Sequence, residues 1–211
     1  MIPSLYPPFI FNWSAKGSVW ILSDLHLGDP DCKLMDPDWI PPEEQIAIIN
    51  SKVHKNDTFV CLGDVGDPQY LSGIKSKNRV LILGNHDKIA DYRGRFKEIY
   101  KGPLFISDKI LLSHEPISGL PWCLNIHGHD HNGAERYDDG CHFLNLAANV
   151  CNYTPISLGE LIKRGGLSGI KSIHRLTLDA AIEKKEKRLN RDSSGTKWTR
   201  SQATTMMCWQ Q

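Results

Sequence analysis

Five short runs of apolar and β-branched residues each deliver a polar, metal-binding type of side chain at their C-terminal end, and this recurrence limits what the chain can fold into. Ser18-Val19-Trp20-Ile21-Leu22-Ser23 runs into Asp24, and Thr58-Phe59-Val60-Cys61-Leu62 runs into Gly63-Asp64. Arg79-Val80-Leu81-Ile82-Leu83 leads to Gly84-Asn85, Ile110-Leu111-Leu112-Ser113 to His114, and Cys123-Leu124-Asn125-Ile126 to His127-Gly128. Their length and composition predict buried strands. Open α/β sheets place ligand sites just outside the C-terminal ends of their strands. The pattern therefore predicts an α/β fold with one site gathered at a sheet edge.

Between the first two runs, Pro41-Pro42-Glu43-Glu44-Gln45 predicts a helix reaching about His54, because proline and acids in a first turn suit a helix start. Ile46, Ile48, Ile49 and Val53 supply its core face. Short helices are expected over 67–72 and 88–95. Ser157 reads as an N-cap with Glu160 completing a capping box, for a helix around 158–164. After Gly165-Gly166 the character changes. The stretch 176–189 is rich in helix formers but has little to bury, and the Ser/Thr/Gln-rich end reads as mobile. Residues 1–170 are expected to form the main domain, and 171–211 a basic, partly helical appendage.

With 211 residues, 40% of them hydrophobic and 23% charged, the chain is long enough for one cored domain. Its apolar runs fall far short of the ~20 residues a membrane helix requires. The N-terminus, with Pro3, Pro7 and Pro8, shows neither a basic nor a long apolar signal region. The six cysteines form no CxxC pair, so they are expected to pack as structural thiols in a reducing cytoplasm. Net charge is +1, yet residues 171–200 hold nine Lys/Arg against four Asp/Glu, which leaves the body mildly acidic.

Aspartate, asparagine and histidine together suit borderline divalent metals (Mn, Fe, Zn, Ni or Co) better than Ca. A single zinc needs three or four ligands. Asp24, His26, Asp64, Asn85, His114, His129 and His131 exceed that and suffice for two metals sharing a carboxylate. Asp24 with His26, and His129 with His131, stand two apart, a spacing that in extended backbone projects both side chains to one side. Taken singly, each block passes for a turn or a polar loop. The reading rests on the ordered set.

That set, Asp24-Leu25-His26, Gly63-Asp64, Gly84-Asn85-His86-Asp87, His114 and Gly128-His129-Asp130-His131, resembles the DxH…GD…GNH[DE]…H…GHxH pattern of the calcineurin-like metallophosphoesterase superfamily. It spans residues 24–131, and Asn149 to Leu158 is similar to the close of small bacterial and phage members. The resemblance implies a four-layer α-β-β-α sandwich of two mixed sheets with a dinuclear metal site at the sheet edge. It implies that Asp24, His26, Asp64 and His131 hold one divalent ion and that Asp64, Asn85, His114 and His129 hold the other, with Asp64 bridging and Mn favoured. The implied reaction is phosphoester hydrolysis by a metal-bridged hydroxide. Two carboxylates leave such a centre net positive, able to draw in a phosphate. His86 is placed to protonate the leaving oxygen or to stabilise the transition state as a cation, with Asp87 orienting its ring. Gly63, Gly84 and Gly128 fit tight turns that let backbone approach the metals. His127 reads as a supporting residue, and His54, His142 and His174 as structural.

Serine/threonine phosphatases of that superfamily usually carry GDxxDRG and GNHE. Here Gly63-Asp64-Val65-Gly66-Asp67-Pro68-Gln69 offers no arginine, and Asp87 replaces the glutamate. Both departures point to the small phosphodiesterase-like members, acting on a diester or monoester of a small or nucleotide-like substrate. Specificity is expected from the loops 28–42, 115–122 and 132–140. Trp39, Trp122 and Tyr137 are candidates to stack on a base, although loop packing is the plainer role, and Arg136 is the nearest candidate for a phosphate contact. Two alternatives compete. One is a catalytically weak scaffold like the retromer subunit, which lacks the histidine of GNH that this chain has as His86. The other is a nuclease anchored by the basic tail. Nucleic acid is not favoured as a partner, because mixed Lys/Glu helices are commonly solvated faces.

Overall fold

Alternation of buried side chains along short strands organises the fold. In the computed structural model, residues 18–133 and 140–193 are described. The expectations for the N-terminal prolines, for Arg136 and Tyr137, for Cys208 and for a mobile C-terminal end fall outside them. The chain divides into two units, 1–172 and 173–211.

In the first unit, β1 (Val19–Leu22), β2 (Thr58–Cys61), β3 (Asn78–Ile82), β4 (Glu98–Tyr100) and β9 (Ile156–Ser157) make a sheet of order β4-β3-β2-β1-β9. Its first four strands are parallel and β9 is antiparallel to β1. A second sheet, β5-β6-β7-β8, is built from Leu104–Ser107, Ile110–Leu112, Leu124–His127 and His142–Asn145, with β5 antiparallel and the rest parallel. The helices are α1 (Cys32–Met35), α2 (Pro42–Lys52), α3 (Ile89–Tyr92) and α4 (Leu158–Lys163), with a 3-10 turn at Pro68–Gly73. The second unit contains α5 (Ile173–Ser193).

Period-two alternation divides the core into two layers. Val19, Ile21, Val60, Leu62, Val80 and Ile82 pack with Ile106, Ile110, Leu112, Leu124 and Ile126 of the second sheet. Leu22, Phe59, Cys61 and Leu81 turn to the other side and meet Ile49 of α2 and Val53 just after it. This two-faced burial explains why these strands read as continuous apolar runs. The fold is the expected pair of mixed sheets with helices.

Each of the five runs read from the sequence overlaps a strand. The helix from Pro42 ends at Lys52, and Ser157 caps α4 by accepting from Glu160 N at 3.3 Å. Strands β4, β5, β8 and β9 escaped the sequence reading. The first three alternate or carry polar ends, and β9 is only two residues long. The 3-10 turn and α3 are the short helices expected there, α3 shrinking to four residues. Cys32, Cys61 and Cys123 are buried thiols, and burial pushes Cys32 up to about 12 and Cys123 up to about 11.

Ile21 is 1% exposed between the sheets, so Ile21→Ala is expected to destabilise the protein by about 2–5 kcal/mol, read by urea denaturation.

Candidate metal centre

Backbone pairing continues past the ends of β1 and β2 and sets the floor of the site. Asp24 N donates to Gly63 O, His26 N to Asp64 O and Leu27 N to Val65 O, at 2.9–3.0 Å. Asp24 (φ 55°), His26 (φ 40°), Asp64 (φ 51°) and His129 (φ 67°) all occupy the left-handed region. That corrects the expectation of extended backbone at these pairs. The side chains converge because the chain turns, and not because a pleat projects them to one side. Non-glycine residues held there cluster at functional sites, where surrounding structure enforces them.

All seven sequence-predicted donors come together in two groups. Ligating atoms of Asp24, His26 and His131 lie within 4.8 Å of one another, as do those of Asp64, His114 and His129. Asp64 stands between the groups: its Oδ2 is 3.7 Å from His26 Nε2 and 3.3 Å from His114 Nε2. Asn85 joins the second group, its Oδ1 lying 2.8 Å from His114 Nε2 and 3.2 Å from His129 Nδ1. His131 Nε2 lies 3.7 Å from Asp24 Oδ1.

The donors fit cations. Asp24 Oδ1 and His26 Nε2 are buried with no hydrogen-bond partner among the described residues. Leaving such atoms unsatisfied costs about 1–3 kcal/mol each, which a coordinated ion would remove. His114 Nδ1 donates to Leu62 O at 2.8 Å, which turns Nε2 toward Asp64, the nitrogen that would bind an ion in place of its proton. Burial alone would lower the His114 pKa, but the bond to Asp64 and the carboxylates nearby raise it to about 9. Burial works to raise the Asp64 pKa. It is outweighed by His114 and by the His86 N–H, which donates to Oδ1 at 3.0 Å, and the carboxyl sits below its ordinary value.

His86 is exposed at the mouth, its ring 5.6 Å from that of His26. Asp87 does something other than orient that ring. Its Oδ2 accepts from Asp64 N and Gly84 N and its Oδ1 from Val65 N, at 2.9–3.1 Å. The ring-orienting assignment is therefore corrected: Asp87 braces one ligand loop against another, because three convergent backbone N–H groups are stronger claimants on a carboxylate than a solvated ring.

Sequence reasoning missed the supporting residues. His26 Nδ1 donates to Asp29 Oδ2 (3.1 Å) and His131 Nδ1 to Asn149 Oδ1 (3.0 Å). Asn149 in turn donates to Asp36 Oδ2 and to His131 O. The Asn149–Leu158 resemblance was the available signal for Asn149. Trp39 is 6% exposed and packed on His26 and His131, the packing role that was the plainer expectation, and not a surface for base stacking. His127 is buried, with its ring 5.8 Å from that of Phe143.

Two sheets whose strand ends gather buried carboxylates and imidazoles define a class, the α/β proteins able to hold paired divalent cations. The chain belongs to the calcineurin-like phosphoesterases, whose family model matches residues 17–200. That family typically binds two divalent metal ions. A protein of unknown function, AQ665 from Aquifex aeolicus, is similar in structure, with a TM-score of 0.59 and 25% identity over 69% of this chain and 98% of that one. A single mutant of Vps29 from Entamoeba histolytica matches at a TM-score of 0.37 and 16% identity, covering 62% of this chain and 74% of that one. No curated protein matches closely. No described helix is long and apolar enough to cross a membrane.

A Cβ on Gly84 would lie 2.1 Å from Asp64 Oδ1 and 2.6 Å from Asp64 N. Gly84→Ala is therefore expected to displace Asp64 and weaken Mn²⁺ binding by about 10- to 100-fold with the far-UV circular dichroism unchanged, as measured by isothermal titration calorimetry.

Proposed function

We propose that the protein is a dinuclear metal-dependent phosphoester hydrolase acting on a small or nucleotide-like phosphodiester or monoester. The convergence of both donor groups on the Asp64 carboxylate carries this reading. Asp24, His26, Asp64 and His131 would hold one ion, and Asp64, Asn85, His114 and His129 the other. When bound, two such ions supply Lewis acidity toward a phosphoryl oxygen and make hydroxide available near neutral pH. Mn²⁺ is the ion favoured, on the mixed nitrogen and oxygen donor set.

The protein's own residues divide the remaining work. Asp24, His26, Asp64 and His114 are buried and form the floor, while Asn85, His86 and His129 are exposed and would face an arriving substrate. His86 has no assigned share in the ligand set. It sits where an imidazole can hold a proton for the departing alkoxide. A cleft of about 300 Å³ opens beside Asn85 and His114, with Lys101 on its lining, and suits the organic portion of a small ester. The absence of an arginine in the Gly63–Gln69 block argues against a protein phosphatase. Residues 171–211 are proposed as an appendage to this catalytic body, and the buried thiols suit a reducing compartment such as the cytoplasm.

Purified protein with Mn²⁺ is expected to hydrolyse bis-p-nitrophenyl phosphate, followed by release of p-nitrophenol. His86→Ala should lower kcat by about 100- to 10,000-fold while metal analysis still finds two ions per chain. Inactivity of the native protein across Mn²⁺, Fe²⁺, Zn²⁺, Ni²⁺ and Co²⁺ with diester and monoester substrates would sink the proposal.

A further inference from the structure

The two donor groups are held in position by different means. In the group containing His114, support comes from the sheet: Leu62 O fixes the ring, directly after β2. The rings of His26 and His131 instead depend on the loop between β1 and α2. Asp29 accepts from His26, Asp36 reaches His131 through Asn149, and Trp39 packs against both rings. Its centroid lies 5.8 Å from that of His26 and 5.7 Å from that of His131, nearly edge-on to each. On its far side Trp39 meets Tyr153 at 5.7 Å, and the Tyr153 hydroxyl accepts from Ile40 N.

Two further features make Trp39 more than filling. Its Nε1 is buried with no hydrogen-bond partner among the described residues, so the indole is kept at the cost of an unsatisfied N–H. Beside it lies a hollow of about 240 Å³, lined by His26, Asp29, Cys32, Trp39 and Ile40, on the loop side of the donor group. Removing the indole would extend that hollow toward His131 and free both rings to rotate. Ring rotation and water entry are the steps by which a histidine-held ion is released, and outer residues that block them raise affinity.

We propose that Trp39 is a positioning residue for the Asp24–His26–His131 group: it locks the two histidine rings and closes the loop side, so that an ion held there leaves slowly. This rests on the reading of that group as a metal position. It assigns Trp39 a function separate from substrate contact, since its ring is covered by His26, His131 and Tyr153.

The test is ion release from Mn²⁺-loaded protein into excess chromogenic chelator, followed by stopped-flow absorbance. The native protein is expected to release one ion in a slow phase that survives Asn85→Ala, a substitution confined to the other donor group. Trp39→Ala should accelerate the slow phase at least ~10-fold and leave the other phase unchanged, with Trp39→Phe, which restores an apolar ring, within about 3-fold of native. The phenylalanine variant preserves the comparison should the alanine variant not fold. Native uptake of two ions with a slow phase unmoved by either substitution overturns this proposal alone, as does equal acceleration of both phases, which would mark a general structural role. Failure of the native protein to take up any divalent ion overturns the metal reading and this proposal together.

Discussion

The Asp64 residue ties the two donor groups to each other. Asp64 Oδ1 accepts the His86 N–H, its Oδ2 faces His26 and His114, its backbone N–H is held by Asp87, and its carbonyl accepts the His26 N–H. Three separate ligand loops are thereby fixed to a single residue in left-handed conformation. Aspartate tolerates that conformation better than most side chains do. The glycines around it complete the constraint: a Cβ at Gly63 or Gly84 would come within 2.6 Å or less of neighbouring atoms of this cluster. The centre is therefore a packing solution as much as a set of donors.

Electrostatics explains why such packing points to cations. Asp24, His26, Asp64 and His114 crowd electron-rich atoms into a buried volume, and two of those atoms have no partner among the described residues. Burying unpaired polar groups opposes folding, and the carboxylates that crowd His114 favour positive charge in the same region. Divalent ions answer that demand with higher charge density and fixed direction. On the proposed function, Asn85 as a neutral donor would keep the summed ligand charge low, so that the centre would retain attraction for an anionic phosphoester.

Much of this was legible in the amino-acid sequence, and the parts that were not share a cause. Apolar runs ending in Asp24, Asp64, Asn85 and His114 revealed the strands and the donors together, because two-sided burial leaves a continuous hydrophobic signature. β8 and β9 left no such mark, being short and partly exposed. The residues that orient the ligands were also hidden. Asn149 contacts His131 across 18 positions and Asp36 across 113 from Asn149, and nothing local in a sequence encodes such distances. Asp87 was visible as a polar neighbour of His86, but its choice of three backbone N–H groups depends on where the Gly63 and Gly84 turns place them. Adjacent position predicted the wrong partner.

This division between sheet and loop bears on how a fold can change substrate while keeping its chemistry. Donors at strand ends, such as His114, inherit their position from a ladder that the whole core stabilises, so they move little when surface loops vary. Donors braced by the 28–42 loop, such as His26 and His131, inherit theirs from Asp29, Asp36 and Trp39, which lie in the segment most able to vary. A change in that loop would then reach the metal centre directly, altering ion retention along with access. The cleft beside Asn85 and His114 has the opposite character. Its walls come from the ends of β3, β4 and β6, with Lys101 and Glu115 at its exposed rim. Substitutions at that rim can reshape the ester portion recognised while the rings of His26 and His131 stay where they are. On the proposed function, specificity and metal retention would thus be separable, each carried by a different side of the Asp64 carboxylate.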